Sequence, residues 1–392
     1  MGRRVYNHSR DALEVRAETL EALEKAHGIL TAPENIARIT RGLEKLHRGL
    51  TRDRKRFIKS RYLRDREMRL AYATYMTCAQ APKLDAILDS LGPLPKLERP
   101  LRILELGCGT GAGVSSLGIA AREQGVPIRH MATDRVPEAL EVTQALAATL
   151  GLSGVETQQV DLSRGIARQL GDPEPYDLVL AMNVLNELTE DRLRLLAREL
   201  KRLVTPTGQV LVIEPAAQTP SRHVIQFRDA CTDAEWHITA PCPHSTGCPM
   251  LLDERDWCHD TWPFQRPSFM EEVDSRVGTR RETLKATWFL FSRQPVSGDV
   301  TGIRGRVISE QFREKGRSHA KVCIEDQLIT LELQKRDRVE QNAAFADIAR
   351  YDLIEFSNVA KIGDRHRLTE DSVCSRIDEA DRLLSQLSKA DS

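Results

Sequence analysis

The chain of 392 residues is longer than one compact domain usually is, so two or three domains are expected. Its 41% hydrophobic and 29% charged residues exclude a disordered or fibrous chain. The formal net charge is zero, and no apolar run approaches the roughly 20 residues that cross a bilayer, so we expect no membrane association. The N-terminal segment has acids and no apolar core, which predicts neither a secretory signal nor a mitochondrial presequence. The cytoplasm is therefore expected, ahead of the mitochondrial matrix.

Residues 1–90 are predicted to form a helical, basic domain, because apolar residues recur there at near-helical spacing. Between Lys45 and Arg69 lie eleven basic residues and only three acids. Such a charge run is either a solvated helix face or a surface that binds nucleic acid phosphates, and both interpretations stay open. We expect this basic stretch to be distant from the glycine loop described below. The helix-breaking segment GPLPKLERP ends the domain.

Short apolar runs alternate with helical stretches over residues 98–240, which predicts a parallel sheet covered on both faces. The runs are LRILELG, IRHMATD, YDLVLAMNVL and GQVLVIEP. Residues 241–297 are expected to contain a cysteine-rich insertion and the last strand of this sheet, KATWFLFSRQP. Residues 298–392 are predicted to form a small β-rich C-terminal module, closed by a helix over DSVCSRIDEADRLLSQL.

The most specific local pattern is ILELGCGTG, where an apolar strand runs into three alternate glycines and then a helix. Glycines let the backbone turn tightly and approach a ligand, and the helix N-terminus favours a polar one. The G-x-G-x-G spacing resembles motif I of class I S-adenosylmethionine-dependent methyltransferases and differs from the dinucleotide fingerprint. This resemblance implies an α/β, Rossmann-like core that binds S-adenosylmethionine. The expected cofactor-binding residues are Glu105, Gly107, Gly109, Gly111, Asp134 at the end of the next strand, and Asp161.

The catalytic residues cannot be named from the stretch that follows the fourth strand. It contains neither the Asn/Asp-Pro-Pro-aromatic motif of amino methyltransferases nor the cysteine nucleophile of cytosine carbon-5 enzymes. The candidates are Asn183, Asn186 and Glu187, which could orient a substrate; Glu187 could act as a base if its pKa were raised. Capping of the next helix, or contact with the methionine end of the cofactor, are the alternatives.

Three of the eight cysteines fall close together, at Cys242, Cys248 and Cys258, and prolines follow the first two. Thiolates are ligands for zinc or iron–sulfur clusters, and stiff prolines lower the entropy lost in gathering them. The other interpretation is that these are packed, free cysteines. A fourth ligand could come from Cys323, Cys231, His244 or His259.

Taken together, LELGCGTGAG, AMNVLNEL, VIEP and APCPHSTGCPM…DWCH resemble the ribosomal small-subunit methyltransferase-like family of bacteria and mitochondria. The resemblance implies a 4Fe–4S cluster held by Cys242, Cys248, Cys258 and Cys323, with structural zinc as the alternative. It also implies a monomer that binds the small ribosomal subunit and its rRNA, acts in subunit assembly, and leaves open whether that RNA is methylated. HDTWPFQRP, after Cys258, departs from the family pattern, which puts RNA contacts there in doubt. The competing hypothesis is a small-molecule or protein methyltransferase with a zinc site.

Overall fold

The computed structural model describes residues 11–28, 33–52, 54–295, 302–363 and 365–377. Its N-terminal part is helical, as predicted. The helices are α1 (Ala17–His27), α2 (Pro33–Arg52), α3 (Arg54–Lys59), α4 (Arg66–Ala71) and α5 (Thr77–Leu91). A π-helical turn over Tyr72–Met76 joins α4 to α5. Helix α4 begins after Asp65, whose carboxylate caps the helix by accepting hydrogen bonds from the backbone N–H groups of Glu67 and Met68.

A mixed sheet with helices on both faces follows. Its strands are β1 (Leu101–Leu106), β2 (Ile128–Asp134), β3 (Val155–Gln159), β4 (Tyr176–Met182), β5 (Val204–Pro215), β6 (His237–Ala240), β7 (Asp260–Pro263) and β8 (Thr283–Ser292). The helices are α6 (Ala112–Glu123), α7 (Pro137–Thr149), α8 (Ile166–Gln169), α9 (Glu190–Leu203), α10 (Gln218–Asp233) and α11 (Ser268–Val277). The predicted α/β class is therefore confirmed.

The strand order is β3-β2-β1-β4-β5-β8-β6, with β7 paired to β8. Strands β1 to β5 run parallel, whereas β8 is antiparallel to β5 and β6, so the sheet is not purely parallel as predicted. The direction of winding reverses between β1 and β4. Ligands of open α/β sheets bind outside the carboxyl ends of the strands at such a switch point, which is where the glycine loop lies.

A second sheet forms the C-terminal module. Its strands are β9 (Ile303–Val307), β10 (Phe312–Glu314), β11 (Arg317–Ile324), β12 (Gln327–Gln334), β13 (Leu353–Ile362) and β14 (Arg365–Ile377). The order is β10-β11-β12-β14-β13-β9, and β9 also pairs with β11, so five of the strands close into a barrel. Its own buried core includes Val307, Leu331, Phe345 and Leu368.

The predicted closing helix is wrong for residues 371–377, which belong to β14, and its remainder lies outside the described residues. Ser372 and Cys374 are buried while Val373 between them is 43% exposed. This period of two is that of a strand, and Cys374 pairs with Phe356 of β13. Tertiary pairing thus overrides the helical propensity of the segment.

The helical part is not separate from the first sheet. One buried cluster joins Leu23, Ile39 and Tyr75 to Met270 and Leu284, which come from the chain beyond β7. In the described part of the chain, no helix is both long and apolar enough to cross a membrane.

Candidate functional site

At two positions of the glycine loop, Gly107 and Gly109, the structure leaves little room for a side chain. Gly107 and Gly109 have φ angles of 70° and 54°, in the left-handed region that favours glycine. A Cβ on Gly107 would lie 2.4 Å from Cγ2 of Val184, and one on Gly109 would lie 3.3 Å from the ring of Tyr72. The loop therefore keeps open a space at the carboxyl end of β1 that a side chain would fill.

Asp134 ends β2 beside this loop. Its carboxylate accepts hydrogen bonds from the backbone N–H of Gly109, at 3.0 Å, and of Val136, at 2.9 Å. Burial raises the pKa of Asp134, while these two hydrogen bonds act in the opposite direction. The two bonds fix the carboxyl group at the wall of the space beside the loop.

That space is a cavity of about 690 Å³, part of which is open to solvent. Of the residues predicted from the sequence, it is lined by Gly107, Gly109, Asp134, Asp161, Asn183 and Glu187. Asn183 has a φ of 58°, and its buried Oδ1 has no hydrogen-bond partner in the described part of the chain. An amide oxygen held in this way at a cavity wall is available to a bound ligand.

Three predicted residues do not line the cavity. Gly111 packs against Thr143 of α7. The Glu105 carboxylate lies behind the loop, where it crowds Gly113 of α6 and lies 3.1 Å from His130 Nε2. The Asn186 amide points to Glu214, to whose carboxylate it donates a hydrogen bond.

The basic stretch contributes to this cavity, so the expectation that it would be distant from the glycine loop is wrong. Arg61, Tyr62, Leu63 and Tyr72 line the cavity. The Tyr62 ring stacks on Phe57 at 4.8 Å. No local pattern marks these residues, since they lie more than 30 positions before the loop and reach it only through tertiary packing.

Glu187 is held among these groups. Its carboxylate lies 3.0 Å from Nη2 of Arg135, and the same Nη2 also donates a hydrogen bond to the carbonyl oxygen of Ile58. The Glu187 carboxylate also accepts a 3.5 Å hydrogen bond from the Tyr62 hydroxyl. Burial raises the pKa of Glu187 to about 7, against the opposing effect of Arg135. A carboxyl group with a pKa near the working pH is suited to act as a general base.

Glu214, at the end of β5, was not a predicted site residue, although it lies in the VIEP segment. Its fully buried carboxylate accepts a 2.7 Å hydrogen bond from the backbone N–H of Leu185, in addition to that from Asn186. Burial raises the pKa of Glu214 to about 7. Glu214 thereby anchors the turn that presents Asn183 and Glu187.

A second cavity, of about 390 Å³ including space open to solvent, is lined by cysteines. Cys242, Cys248, Cys258 and Cys323 all line it. The first three come from the chain between β6 and β7, and Cys323 comes from β11 of the barrel. Of the alternative fourth ligands, only His244 lines this cavity, with Nε2 3.5 Å from the Cys323 sulfur.

Two buried arginines share the cysteine cavity. Arg228 is fully buried, and its guanidinium donates to Asp229 and to the carbonyl of His244. Arg306 donates to Asp260 at 2.6 Å and contacts the Cys258 sulfur at 3.9 Å. Fixed positive charge beside thiols favours their thiolate form, which is the form that binds metals.

Burial acts in the opposite direction on the pKa values of Cys248 and Cys258. Burial, followed by the neighbouring cysteines, raises the pKa of Cys248 to about 12. Burial raises the pKa of Cys258 to about 11, although Arg306 opposes the shift. Any metal that these residues bound would have to displace their protons, so binding would depend on pH.

The cavity offers four thiols as donors, but their arrangement is not that of a site for a single metal ion. Within the described ranges, no group of three or more His, Cys, Asp or Glu side chains could hold a metal ion as placed. What the four cysteines share is that they line the same cavity. Tetrahedral zinc would need all its ligands within about 2.3 Å of the metal.

The exposed part of the basic stretch is only partly neutralised. Lys45 pairs with Asp65 and Glu67, which also pairs with Arg41. Within residues 33–52 and 54–295, no ion pair joins the remaining exposed cations of this stretch to an acid. These cations are Arg48, Arg52, Arg56, Lys59, Arg64 and Arg66. Their charges therefore face solvent without an acidic partner in these ranges.

Comparison with solved structures finds several methyltransferases. An O-methyltransferase family protein from Burkholderia thailandensis is 15% identical, with 68% of this chain and 75% of that chain covered and a TM-score of 0.41. Ribosomal protein L11 methylase from Lactobacillus delbrueckii subsp. bulgaricus is 15% identical, with 50% and 72% covered and a TM-score of 0.30. Likenesses at these values carry no argument about function.

Sequence comparison is more informative. A protein of Jannaschia sp. (strain CCS1), provisionally named a methyltransferase, is 35% identical over 66 residues. That match covers 17% of this chain and less than a quarter, 23%, of the relative. The sequence profile of the family described as mitochondrial small ribosomal subunit Rsm22 matches residues 66–350, most of the chain. The resemblance inferred from the glycine and cysteine motifs is therefore confirmed, and the chain belongs to the Rsm22 family.

Proposed function

We propose that this chain is an S-adenosylmethionine-binding methyltransferase that acts on the small ribosomal subunit, in its assembly and on its RNA. The observation that carries the proposal is the cavity at the switch point of the sheet, with Asp134, Asn183 and Glu187 on its wall. Membership of the Rsm22 family points to the small subunit as the partner.

The residues at the cavity fit the cofactor. The two glycines leave a cradle that a Cβ would fill, and Asn183 offers an unpartnered buried oxygen. Asp134 would accept hydrogen bonds from the ribose hydroxyls, as acids at this position do in dinucleotide folds. Asp161 would contact the adenine, and Asn183 the methionine end. When bound, S-adenosylmethionine supplies an electrophilic methyl group.

Glu187 is the general base in this proposal. Its carboxylate removes a proton from the methyl acceptor, and Arg135 and Tyr62 hold it in position. Tyr62, Leu63 and Tyr72 of the N-terminal segment line the cavity, and in this proposal they limit the access of water to it. Exclusion of water strengthens the electrostatic interactions within the site.

We further propose a 4Fe–4S cluster in the cysteine cavity, with Cys242, Cys248, Cys258 and Cys323 as ligands. Its support is that four cysteines from two sheets line one cavity beside Arg228 and Arg306. A cluster of this kind is held by four cysteine thiolates, and four cysteines line this cavity. The cluster would fasten the barrel to the first sheet.

The exposed cations of α2 and α3 are the proposed contact with ribosomal RNA, and the chain is proposed to act as a monomer. The compartment is that of the ribosome it binds. The family description names a mitochondrial subunit, which favours the matrix over the cytoplasm expected from the sequence. Fractionation of the source cells distinguishes the two.

Co-sedimentation with purified small subunits tests the proposal. Replacement of Arg52, Arg56 and Lys59 by glutamate should weaken binding roughly 10- to 1,000-fold and flatten its salt dependence, because three phosphate contacts are lost. The matched control replaces Arg194, Arg198 and Arg202, which are exposed on α9, by glutamate. Equal loss in both variants would indicate non-specific charge attraction. Failure of the wild-type chain to bind small subunits would favour a small-molecule or protein methyltransferase.

A further inference from the structure

The C-terminal barrel has a specific connectivity. If β9, β11, β12, β13 and β14 are counted as strands 1 to 5, their order around the barrel is 1-2-3-5-4-1. All neighbouring pairs are antiparallel except strands 3 and 5, which run parallel. This is the topology of the OB-fold, a five-stranded Greek-key barrel whose strand 2–3 face binds oligonucleotides.

In this chain, one end of the strand 2–3 face packs against the first sheet and the cysteine cavity. The outward side chains of β11 alternate with the buried Ala320 and Val322, so Cys323, Lys321 and His319 all point away from the barrel core. Cys323 lies at the cysteine cavity, and the neighbouring Leu328 of β12 packs against the core of the first sheet. The other end of the face, around His319, lies outside this contact.

The open part of the face carries an exposed aromatic platform. The Phe312 side chain is 52% exposed, although it is a large apolar group. Its ring stacks on the imidazole of His319, with 5.2 Å between centroids and 20° between planes. Strand β10 brings the two rings together, since Phe312 pairs with His319 across the hairpin. A flat, exposed pair of this kind offers a surface on which an unpaired base can stack.

Cations surround this platform. Lys321 is exposed two positions from His319. The guanidinium groups of Arg317 and Arg365 lie 3.3 Å and 3.0 Å from the same Glu332 oxygen, and Arg317 also pairs with Glu314. Two carboxylates thus face these two guanidinium groups, and Lys321 adds a third positive charge. The strand register also places Lys321 near Arg365, because Thr330 of β12 pairs with Lys321 on one side and with Arg365 on the other. The local excess of positive charge is complementary to a phosphate backbone.

We propose that the open face of β11, β12 and β14 binds a single-stranded nucleic acid. A base stacks on Phe312 and His319, and the adjoining phosphates contact Lys321 and the Arg317–Arg365 pair. A single strand fits because its bases have free faces, whereas those of a duplex are already stacked. This site is separate from the basic stretch and does not depend on ribosome binding.

Fluorescence anisotropy with a labelled pyrimidine-rich oligoribonucleotide and the full chain tests the site. Phe312→Ala should weaken binding roughly 5- to 150-fold, the effect of losing one stacked base. The matched control is Leu195→Ala, because Leu195 on α9 is also 52% exposed. Lys321→Glu should lower the salt slope by about one, whereas Arg198→Glu on α9 should leave it unchanged.

The comparison with a duplex decides the mode of binding. Phe312→Ala should leave the affinity for a duplex of the same sequence unchanged, because no base is available for stacking there. Wild-type affinity for the single strand in Phe312→Ala, or no binding by the wild-type chain, would overturn the proposal. A chain that binds the oligonucleotide but does not sediment with small subunits would keep this site and refute the ribosomal function.

Discussion

The glycine-loop cavity and the cysteine cavity differ in how they are built. The first lies at the ends of neighbouring parallel strands, and most of its wall comes from the carboxyl ends of β1 to β4 and the turns that follow them. The second is assembled from the chain between β6 and β7 and from a barrel strand that follows more than 60 residues later. The first sheet supplies most of one cavity, to which the N-terminal segment adds one side, whereas the other cavity requires two sheets to dock.

The two cavities also differ in what holds their polar groups in place. Backbone N–H groups satisfy Asp134 at the glycine loop, so that wall is held in place by the chain itself. The cysteine cavity places thiols with raised pKa values beside two buried arginines. Such a site becomes more stable when a group that binds thiolates displaces their protons. We therefore expect the first cavity to tolerate loss of its ligand and the second to depend on it.

The largest expected effect follows from removal of a cysteine ligand. Chain purified without oxygen should be brown and contain about four irons. Cys258→Ser should lose the iron and lower the free energy of unfolding by several kcal/mol, because the site joins two sheets. Iron analysis and thermal unfolding measure both. Cys374→Ser, at a buried thiol in the barrel core, should keep the iron. Colourless chain with stoichiometric zinc would contradict the cluster.

The next effect concerns catalysis at the glycine-loop cavity. Methyl transfer to small subunits from cells that lack this protein should rise with pH up to about 7 and then level off, since Glu187 must be deprotonated to act as a base. Glu187→Gln should lower the rate roughly 100- to 10,000-fold. Glu190→Gln, at an exposed carboxylate three residues on, is the matched control. An unchanged rate in Glu187→Gln would remove the base from this site.

Cofactor affinity should respond to Asp134. Loss of two charge-assisted hydrogen bonds to the ribose should weaken S-adenosylmethionine binding by at least about 100-fold in Asp134→Ala, as measured by calorimetry. Asp172→Ala, at an exposed acid after α8, should bind normally. Iron content should be unchanged in both variants. Loss of iron in Asp134→Ala would show that the two cavities are not independent.

The smallest effect tests the cover of the glycine-loop cavity. Tyr62→Ala should weaken S-adenosylmethionine binding roughly tenfold, because one side of the cavity becomes open to water. Tyr62→Phe keeps the ring that stacks on Phe57 and should restore most of the affinity. Equal affinity in Tyr62→Ala and the wild-type chain would show that the N-terminal segment lies over the cavity without contributing to binding.

Much of the first sheet could be predicted from local pattern. Strands such as β2 coincide with their apolar runs, and the three alternate glycines mark the loop, because each signal depends on residues close in sequence. The same local reasoning failed at β14, where pairing with β13 converted a predicted helix into a strand. Glu105 stays a predicted cofactor residue, and its side chain lies behind the loop against α6.

The sequence by itself determined the α/β class, the family, and the residue types available to each site. The tertiary structure decided which residues meet. It brought Tyr62 and Tyr72 over a loop that lies more than 30 residues later, and Cys323 to the other three cysteines. It also closed five short strands into a barrel whose outer face carries Phe312. Motifs record short-range backbone requirements, whereas these contacts arise from burial of apolar surface between distant segments, which leaves no fixed spacing in the chain.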